Sequence, residues 1–158
     1  LGSITIPFLL SGVMRILLQH ENGKVYVLLP FLAAWCSDSL ALVFGMLFGK
    51  HKVAPAVSPN KTVEGCVCGA LFSMAAGVLV YFIFRSPYPM PLWLCVVTSL
   101  AASTMGQIGD LAESLMKRMI GIKDFSNLIP GHGGMFDRAD SLLFSIPSTY
   151  FILHIAGI

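Results

Sequence analysis

The stretch VYVLLPFLAAWCSDSLALVFGMLF, residues 25–48, is a continuous apolar run with one charged side chain, Asp38, near its middle. It is longer than the roughly 20 residues with which an α-helix crosses the hydrocarbon of a bilayer. A membrane β-barrel would require alternating apolar and polar residues, and this run is continuous. Backbone groups in lipid must be paired within their own segment, as they are in a helix. The run therefore predicts a membrane-spanning helix.

Four more apolar runs cover residues 4–18, 63–84, 92–116 and 142 to the end. Charged residues make up 11% of the 158 and the mean hydropathy is +0.79, whereas a soluble domain carries about a quarter charged residues. We predict an all-α fold, a polytopic membrane bundle with about five transmembrane helices in a single unit over residues 1–158. The chain begins at Leu1, inside an apolar run. We therefore expect it to be the C-terminal part of a longer protein.

Basic residues concentrate in two of the predicted connections. The second-to-third connection carries Lys50, Lys52 and Lys61, and the fourth-to-fifth carries Lys117, Arg118, Lys123 and Arg138. Both connections lie on the same side of a five-helix arrangement, and the positive-inside rule places that side in the cytoplasm. A formal net charge of +2 is too small to suggest a nucleic-acid partner.

Asp38 stands out because a charge at the centre of a membrane helix costs about 2.5–3.5 kcal/mol on insertion scales. Ser37 and Ser39 flank it. Two interpretations stay open at this point. The three residues form a polar cluster that bonds across helices, or Asp38 faces a functional site inside the bundle.

The fourth apolar run ends in a polar helical face. Gln107, Asp110, Glu113 and Lys117 are three or four residues apart and so share one side of a helix. This face is either a solvated helix end or one wall of a polar cavity. The long apolar run before Asp110 favours the cavity.

Residues 109–140 contain five of the eight acidic and four of the ten basic residues. An idle connection needs only a few residues, so a longer charged one is more often functional. Its glycine-rich turn at 130–134, PGHGG, can direct backbone N–H groups toward a phosphate. The nearby carboxylates supply the oxygen ligands that Mg²⁺ prefers: Asp110, Asp124, Asp137 and Asp140. Together with the cations, these groups indicate metal-assisted phosphoryl or nucleotidyl transfer.

The other basic connection, residues 49–65, offers lysines and hydroxyls close to a helix start. Ser58 and Thr62 are candidate caps for the third helix, and Glu64 falls in its first turn. The lysines either set the topology alone or form a second phosphate clamp for a lipid headgroup. Gly65 and Gly69 fit a small-xxx-small helix contact.

Two motifs carry a family resemblance. The run SLMKR at 114–118, KD at 123–124 and PGHGGMFDRAD at 130–140 resemble the signature of phosphatidate cytidylyltransferases, also called CDP-diglyceride synthetases. The segments FGKHK at 48–52 and SPNKTVEG at 58–65 resemble the other cytoplasmic motif of that family. Asn60 departs from it, since many members carry lysine there.

The resemblance implies that CTP and phosphatidate react to CDP-diacylglycerol and pyrophosphate, with Mg²⁺ and with K⁺ allowed beside it. It assigns the metal to Asp110 and Asp137. The lysines of the 49–65 connection, together with Ser58, would hold the phosphatidate headgroup, and the glycine turn would donate N–H groups. The substrate-binding set is therefore Lys50, Lys52, Ser58, Lys61, Gly133 and Gly134. The catalytic set is Lys117, Arg118, Lys123, Asp124, His132, Arg138 and Asp140. For His132, an acid–base role and a loop-ordering hydrogen bond both stay open.

The expected partners are CTP, phosphatidate and membrane lipid, without nucleic acid, and a homodimer is compatible with the sequence. We expect an integral protein of the inner membrane of a bacterial cell. One alternative is a CTP-dependent lipid kinase, which would release CDP. Another is a membrane transporter, although most of the unusual charge lies in a connection and not along several helices.

Overall fold

Five helices and one β-hairpin make up the described part of the chain. The computed structural model describes residues 2–19, 23–86, 90–121 and 140–157. In chain order these are α1 (Gly2–Gln19), α2 (Gly23–Phe48), β1 (Lys52–Ala54), β2 (Ser58–Thr62), α3 (Val63–Phe84), α4 (Leu92–Ile120) and α5 (Asp140–Ile155). The predicted helical membrane bundle is confirmed, and each of the five apolar runs is helical. The hairpin was not predicted.

Three of the helices, α2, α3 and α4, are long and apolar enough to cross a membrane. Large apolar side chains cover much of their outer surface; Leu47, Leu71 and Phe82 are all more than half exposed. Such a surface suits lipid and not water. The protein is accordingly an integral membrane protein.

Helices α2 and α3 pack closely because glycines face the partner backbone. A Cβ atom added at Gly65 would lie 2.4 Å from the carbonyl oxygen of Ala41, and one at Gly69 would lie 2.7 Å from that of Ser37. Neither position has room for a larger side chain. The predicted small-xxx-small contact is confirmed.

The hairpin joins α2 to α3. It is antiparallel, with Lys52 opposite Thr62 and Ala54 opposite Ser58. Thr62 then caps α3, since its Oγ1 accepts the N–H of Gly65 at 3.2 Å. The predicted Thr62 cap is confirmed. Ser58 is not a cap, because it lies in β2, four residues before the cap residue Thr62.

Helix α4 runs four residues beyond the apolar run that predicted it. It ends at Gly121, whose φ of 75° is the left-handed conformation that favours glycine, and whose N–H bonds to the carbonyls of Lys117 and Arg118. These two basic residues therefore lie on the last turn of a helix and not in a loop. That turn extends the polar face of α4 beyond the apolar segment.

Candidate active site

A cavity of about 800 Å³ lies at the end of the bundle where the hairpin meets α2, α4 and the start of α5. Apolar side chains, among them Trp35, Leu42 and Leu142, form one part of its wall. The polar part comes from four separate elements: Asp38, Ser58, Asn60, Lys61, Asp110 and Asp140. Carboxylates and a cation from distant parts of the sequence thus share one space.

The central contact of the cavity is an ion pair between Lys61 and Asp110. Lys61 Nζ lies 2.5 Å from Asp110 Oδ2 and donates a second bond of 3.0 Å to the backbone carbonyl of Gln107. The Lys61 side chain is 12% exposed and the Asp110 side chain 34%. The pair joins the hairpin to α4 and leaves the Asp110 carboxylate accessible from the cavity.

Asp140 begins α5 on the cavity wall and is itself mostly buried. Its Oδ1 accepts the N–H of Ser141 at 2.6 Å. Asp140 precedes the fifth apolar run. Its burial, together with the nearby carboxylates of Asp110 and Glu113, raises the pKa of Asp140 well above its usual range. The three carboxylates belong to one electrostatic cluster, which a bound cation would stabilise.

Asp38 also lines the cavity, and its Oδ2 accepts a bond of 2.9 Å from the hydroxyl of Ser141. Both interpretations drawn from the sequence apply to it, since it bonds across helices and it faces the candidate site. It was not among the predicted site residues. The sequence signal was the charge at the middle of an apolar run.

The buried side-chain amide of Gln107 links α2, α3 and α4 by hydrogen bonds beside the cavity. Gln107 Nε2 on α4 donates to Ser37 Oγ on α2 at 2.8 Å and to the carbonyl of Cys66 on α3 at 3.1 Å. Ser103 Oγ donates to the same Ser37 oxygen at 2.8 Å. This network holds α4 one turn before Asp110. The bonds of Ser37 across helices agree with one of the two interpretations drawn from the sequence, whereas the partners in this network on α3 and α4 were not predicted.

Further along α4, Glu113 and Lys117 form a buried pair with 3.0 Å between Oε1 and Nζ. Three residues of the predicted polar face, Gln107, Glu113 and Lys117, are therefore buried, and Asp110 between them faces the cavity. The face is one wall of a polar cavity and not a solvated helix end. Arg118 Nε donates to the carbonyl of Val57 in the turn of the hairpin, at 3.4 Å. This contact places the two motif-bearing connections at the same end of the bundle, as predicted.

The predicted site residues fall into three groups. Ser58, Lys61, Asp110 and Asp140 line the cavity. Lys50 and Lys52 are exposed and do not belong to the described lining of the cavity. Lys117 and Arg118 do not belong to that lining either. The remaining predictions lie outside the described residues: Lys123, Asp124, His132, Gly133, Gly134, Asp137 and Arg138.

The donor set is suited in kind to a magnesium ion. Within residues 2–19, 23–86, 90–121 and 140–157, no group of three His, Cys, Asp or Glu side chains is placed to hold a metal. Magnesium does not need three, because it commonly binds one or two carboxylates plus substrate phosphates and water. The accessible Asp110 carboxylate could supply one such ligand.

Comparison with known proteins identifies the family. The sequence model described as "Cytidylyltransferase family" matches residues 1–156. The chain belongs to the cytidylyltransferase family. This membership confirms the resemblance that the two motifs carry, and in this family the cavity is the natural candidate for the active site.

Several relatives from staphylococci are named phosphatidate cytidylyltransferase. The one from Staphylococcus saprophyticus is 41% identical over 150 residues, covering 95% of this chain and 57% of the relative. Those from Staphylococcus haemolyticus and Staphylococcus aureus are each 37% identical with the same coverage. The chain thus spans 57% of the length of these relatives.

A solved structure described as an intramembrane enzyme for archaeal membrane lipids biosynthesis shares the fold. It superposes with a TM-score of 0.57 at 23% identity, covering 82% of this chain and 90% of that one. The likeness supports the arrangement of the helices.

Proposed function

We propose that this protein transfers the cytidylyl group of CTP to phosphatidate, giving CDP-diacylglycerol and pyrophosphate. The observation that carries the proposal is the cavity in which Lys61, Asp110 and Asp140 meet at one end of a membrane bundle. Family membership and the relatives named phosphatidate cytidylyltransferase favour this transfer over other reactions of CTP. The apolar side of the cavity, with Trp35, Leu42 and Leu142, suits a substrate that carries acyl chains.

The reaction needs no protein nucleophile. A phosphate oxygen of phosphatidate attacks the α-phosphorus of CTP, and the bond from that phosphorus to the β-phosphate oxygen breaks. The pyrophosphate leaves with the electron pair of that bond. The protein contributes by aligning the two phosphates in line and by balancing their negative charge.

Asp110 and Asp137 would hold a divalent cation, which we take to be Mg²⁺, with K⁺ as a second ion beside it. When bound, the cation would neutralise phosphate charge and orient the triphosphate. Asp110 faces the cavity, whereas Asp137 lies outside the described residues. Asp140 would keep the carboxylate cluster in place from the start of α5.

The cations divide between the two substrates in our proposal. Lys61 and Ser58 line the cavity and would hold the phosphatidate headgroup, with Lys50 and Lys52 steering it from the exposed part of the hairpin. The triphosphate or the leaving pyrophosphate would be bound by Lys117, Arg118, Lys123 and Arg138. The triphosphate side of the site would also include Asp124, His132, Gly133 and Gly134.

We further propose that residues 1–158 act as one membrane-embedded catalytic unit in a bacterial inner membrane, with the cavity facing the cytoplasm. The basic residues at the cavity end of the bundle support this orientation. Helices α2 to α5 all contribute to one packed core, which supports the single unit. A homodimer remains part of the proposal.

The test follows the α-phosphate of CTP. The purified complete protein is incubated in detergent with phosphatidate, Mg²⁺ and CTP labelled either in the α- or in the γ-phosphate. We expect the α-label in CDP-diacylglycerol and the γ-label in pyrophosphate, in equal amounts. Label from the γ-phosphate in a lipid, with release of CDP, would contradict the proposal and indicate a lipid kinase.

A further inference from the structure

Asp38 is a carboxylate in a membrane-spanning helix with a defined partner on another helix. It lies in α2, and its Oδ2 accepts the hydroxyl of Ser141 in α5 at 2.9 Å. The two residues are 103 positions apart in the sequence. Because a charge within a membrane helix is costly and usually functional, this bond calls for an explanation beyond chance packing.

Ser141 is held from two directions at the first turn of α5. Asp38 accepts its hydroxyl, and Asp140 accepts its backbone N–H at 2.6 Å. Ser141 and Asp140 are both buried, at 3% and 8% exposure. A bond that fixes Ser141 therefore also fixes the residue before it, and that residue lies on the cavity wall beside Asp110.

Helix packing alone does not account for a charge at this place. One residue earlier, the neutral hydroxyl of Ser37 already bonds across helices to Ser103 and Gln107. Hydroxyl pairs of this kind are the usual polar contacts between membrane helices. An ionised acceptor makes a stronger and more directional bond than a hydroxyl, which suits a contact that must hold a site geometry.

We propose that Asp38 is a positioning residue for the transfer reaction. By accepting the Ser141 hydroxyl, it fixes the start of α5 against α2 and holds Asp140 on the cavity wall next to Asp110. This inference rests on the proposed function, because the geometry it maintains is that of the proposed site. Asp38 acts through Ser141 and does not itself touch the reacting phosphates.

The test compares five variants of the complete protein: Asp38→Ala, Ser141→Ala, the double variant, Asp38→Asn and Ser148→Ala. The last is a matched control, because the Ser148 hydroxyl bonds within α5, to the carbonyl of Ser145 at 2.8 Å. Turnover is measured per folded molecule, with the folded fraction taken from size-exclusion chromatography. The KM for CTP and the kcat are determined separately.

We expect Asp38→Ala and Ser141→Ala each to lower kcat about 10- to 100-fold, the effect of losing a hydrogen bond to a charged group. The KM for CTP should stay within about twofold, because the lost contact acts on alignment and not on ground-state binding. The double variant should be no worse than either single one. Asp38→Asn keeps an oxygen acceptor for the hydroxyl but not the charge, so its kcat should lie between those of Asp38→Ala and the wild type. Ser148→Ala should match the wild type.

Three results would overturn the proposal. Wild-type kcat in Ser141→Ala would show that the hydroxyl is not the route of the effect. An Asp38→Asn kcat no higher than that of Asp38→Ala would show that an oxygen acceptor for the Ser141 hydroxyl is not what the reaction needs. Multiplicative losses in the double variant would mean that the two side chains act independently.

A cross-linking experiment tests the contact without any turnover. Cysteines are introduced into the complete protein as Asp38→Cys with Ser141→Cys, or with Ser148→Cys as control. The native cysteines, which include the four in residues 1–158, are first replaced by alanine. Ser148 lies about 10 Å further along α5, since each helical residue rises about 1.5 Å. An oxidant should link only the first pair, and failure to do so overturns the contact. A wild-type protein without product would refute the proposed function instead, and the cross-link would still decide the contact.

Discussion

Replacing Lys61 by methionine tests the ion pair at the centre of the cavity. The substitution keeps most of the aliphatic stem and removes the ammonium group. Asp110 then loses a partner at 2.5 Å, and the carbonyl of Gln107 loses a donor at 3.0 Å. The bundle is therefore expected to lose stability through this one contact, without a change in its apolar packing.

The distance and burial of the pair set the size of the effect. Two unit charges 2.5 Å apart attract by about 7 kcal/mol at an effective dielectric constant of about 20. The cost of desolvating both groups offsets most of that attraction. Asp110 keeps 34% of its side chain exposed, so water partly replaces the lysine. We expect a loss of about 2 kcal/mol, between the values for exposed and fully buried pairs.

Unfolding in mixed detergent micelles, followed by tryptophan fluorescence, measures this loss. The matched control is Lys52→Met, because Lys52 is an exposed lysine of the same hairpin, and it should stay within about 0.5 kcal/mol of the wild type. A Lys61→Met protein as stable as the Lys52→Met protein would refute the reasoning. It would show that the pair contributes nothing to the native state.

Three more predictions concern the same region. Asp110→Asn should lower transfer by at least about 100-fold while the protein stays folded, because it removes a charged metal ligand; near-normal turnover in the radiolabel assay would exclude the metal role. Gln107→Leu should destabilise the bundle by about 2 kcal/mol in detergent unfolding, because it removes the hydrogen bonds that Gln107 donates to Ser37 on α2 and to the carbonyl of Cys66 on α3; an unchanged midpoint would contradict the network. Gly69→Val should cost about 1–3 kcal/mol, since its Cβ would meet the carbonyl of Ser37 at 2.7 Å; wild-type stability would show that the helices can separate freely.

The helices were predictable from sequence because lipid imposes a simple rule on length and apolarity. Spacing along one helix was equally informative, and the face from Gln107 to Lys117 follows directly from the helical period. The spacing of the glycines at 65 and 69 likewise indicated a close helix contact, although the sequence did not identify α2 as the partner. These features all depend on neighbours along the chain.

Contacts between distant segments could not be predicted from the sequence. Lys61 and Asp110 are 49 positions apart, and Asp38 and Ser141 are 103 apart, so no periodicity links them. The hairpin was missed because its strands of three and five residues are too short for an alternating pattern to be recognised. The position of Asp38 inside an apolar run indicated that its charge is costly in a membrane helix. Only the structure showed which side chain it bonds to.

The position of the metal tests the central claim most directly. A crystal structure of the complete protein with CTP and Mn²⁺, which can be located by its anomalous X-ray scattering, would provide it. We predict an ion bound to the Asp110 carboxylate at about 2.0–2.3 Å, inside the cavity that Lys61 and Asp140 line. An ion and nucleotide bound elsewhere, with Asp110 still paired to Lys61 alone, would contradict the assignment of this cavity as the active site.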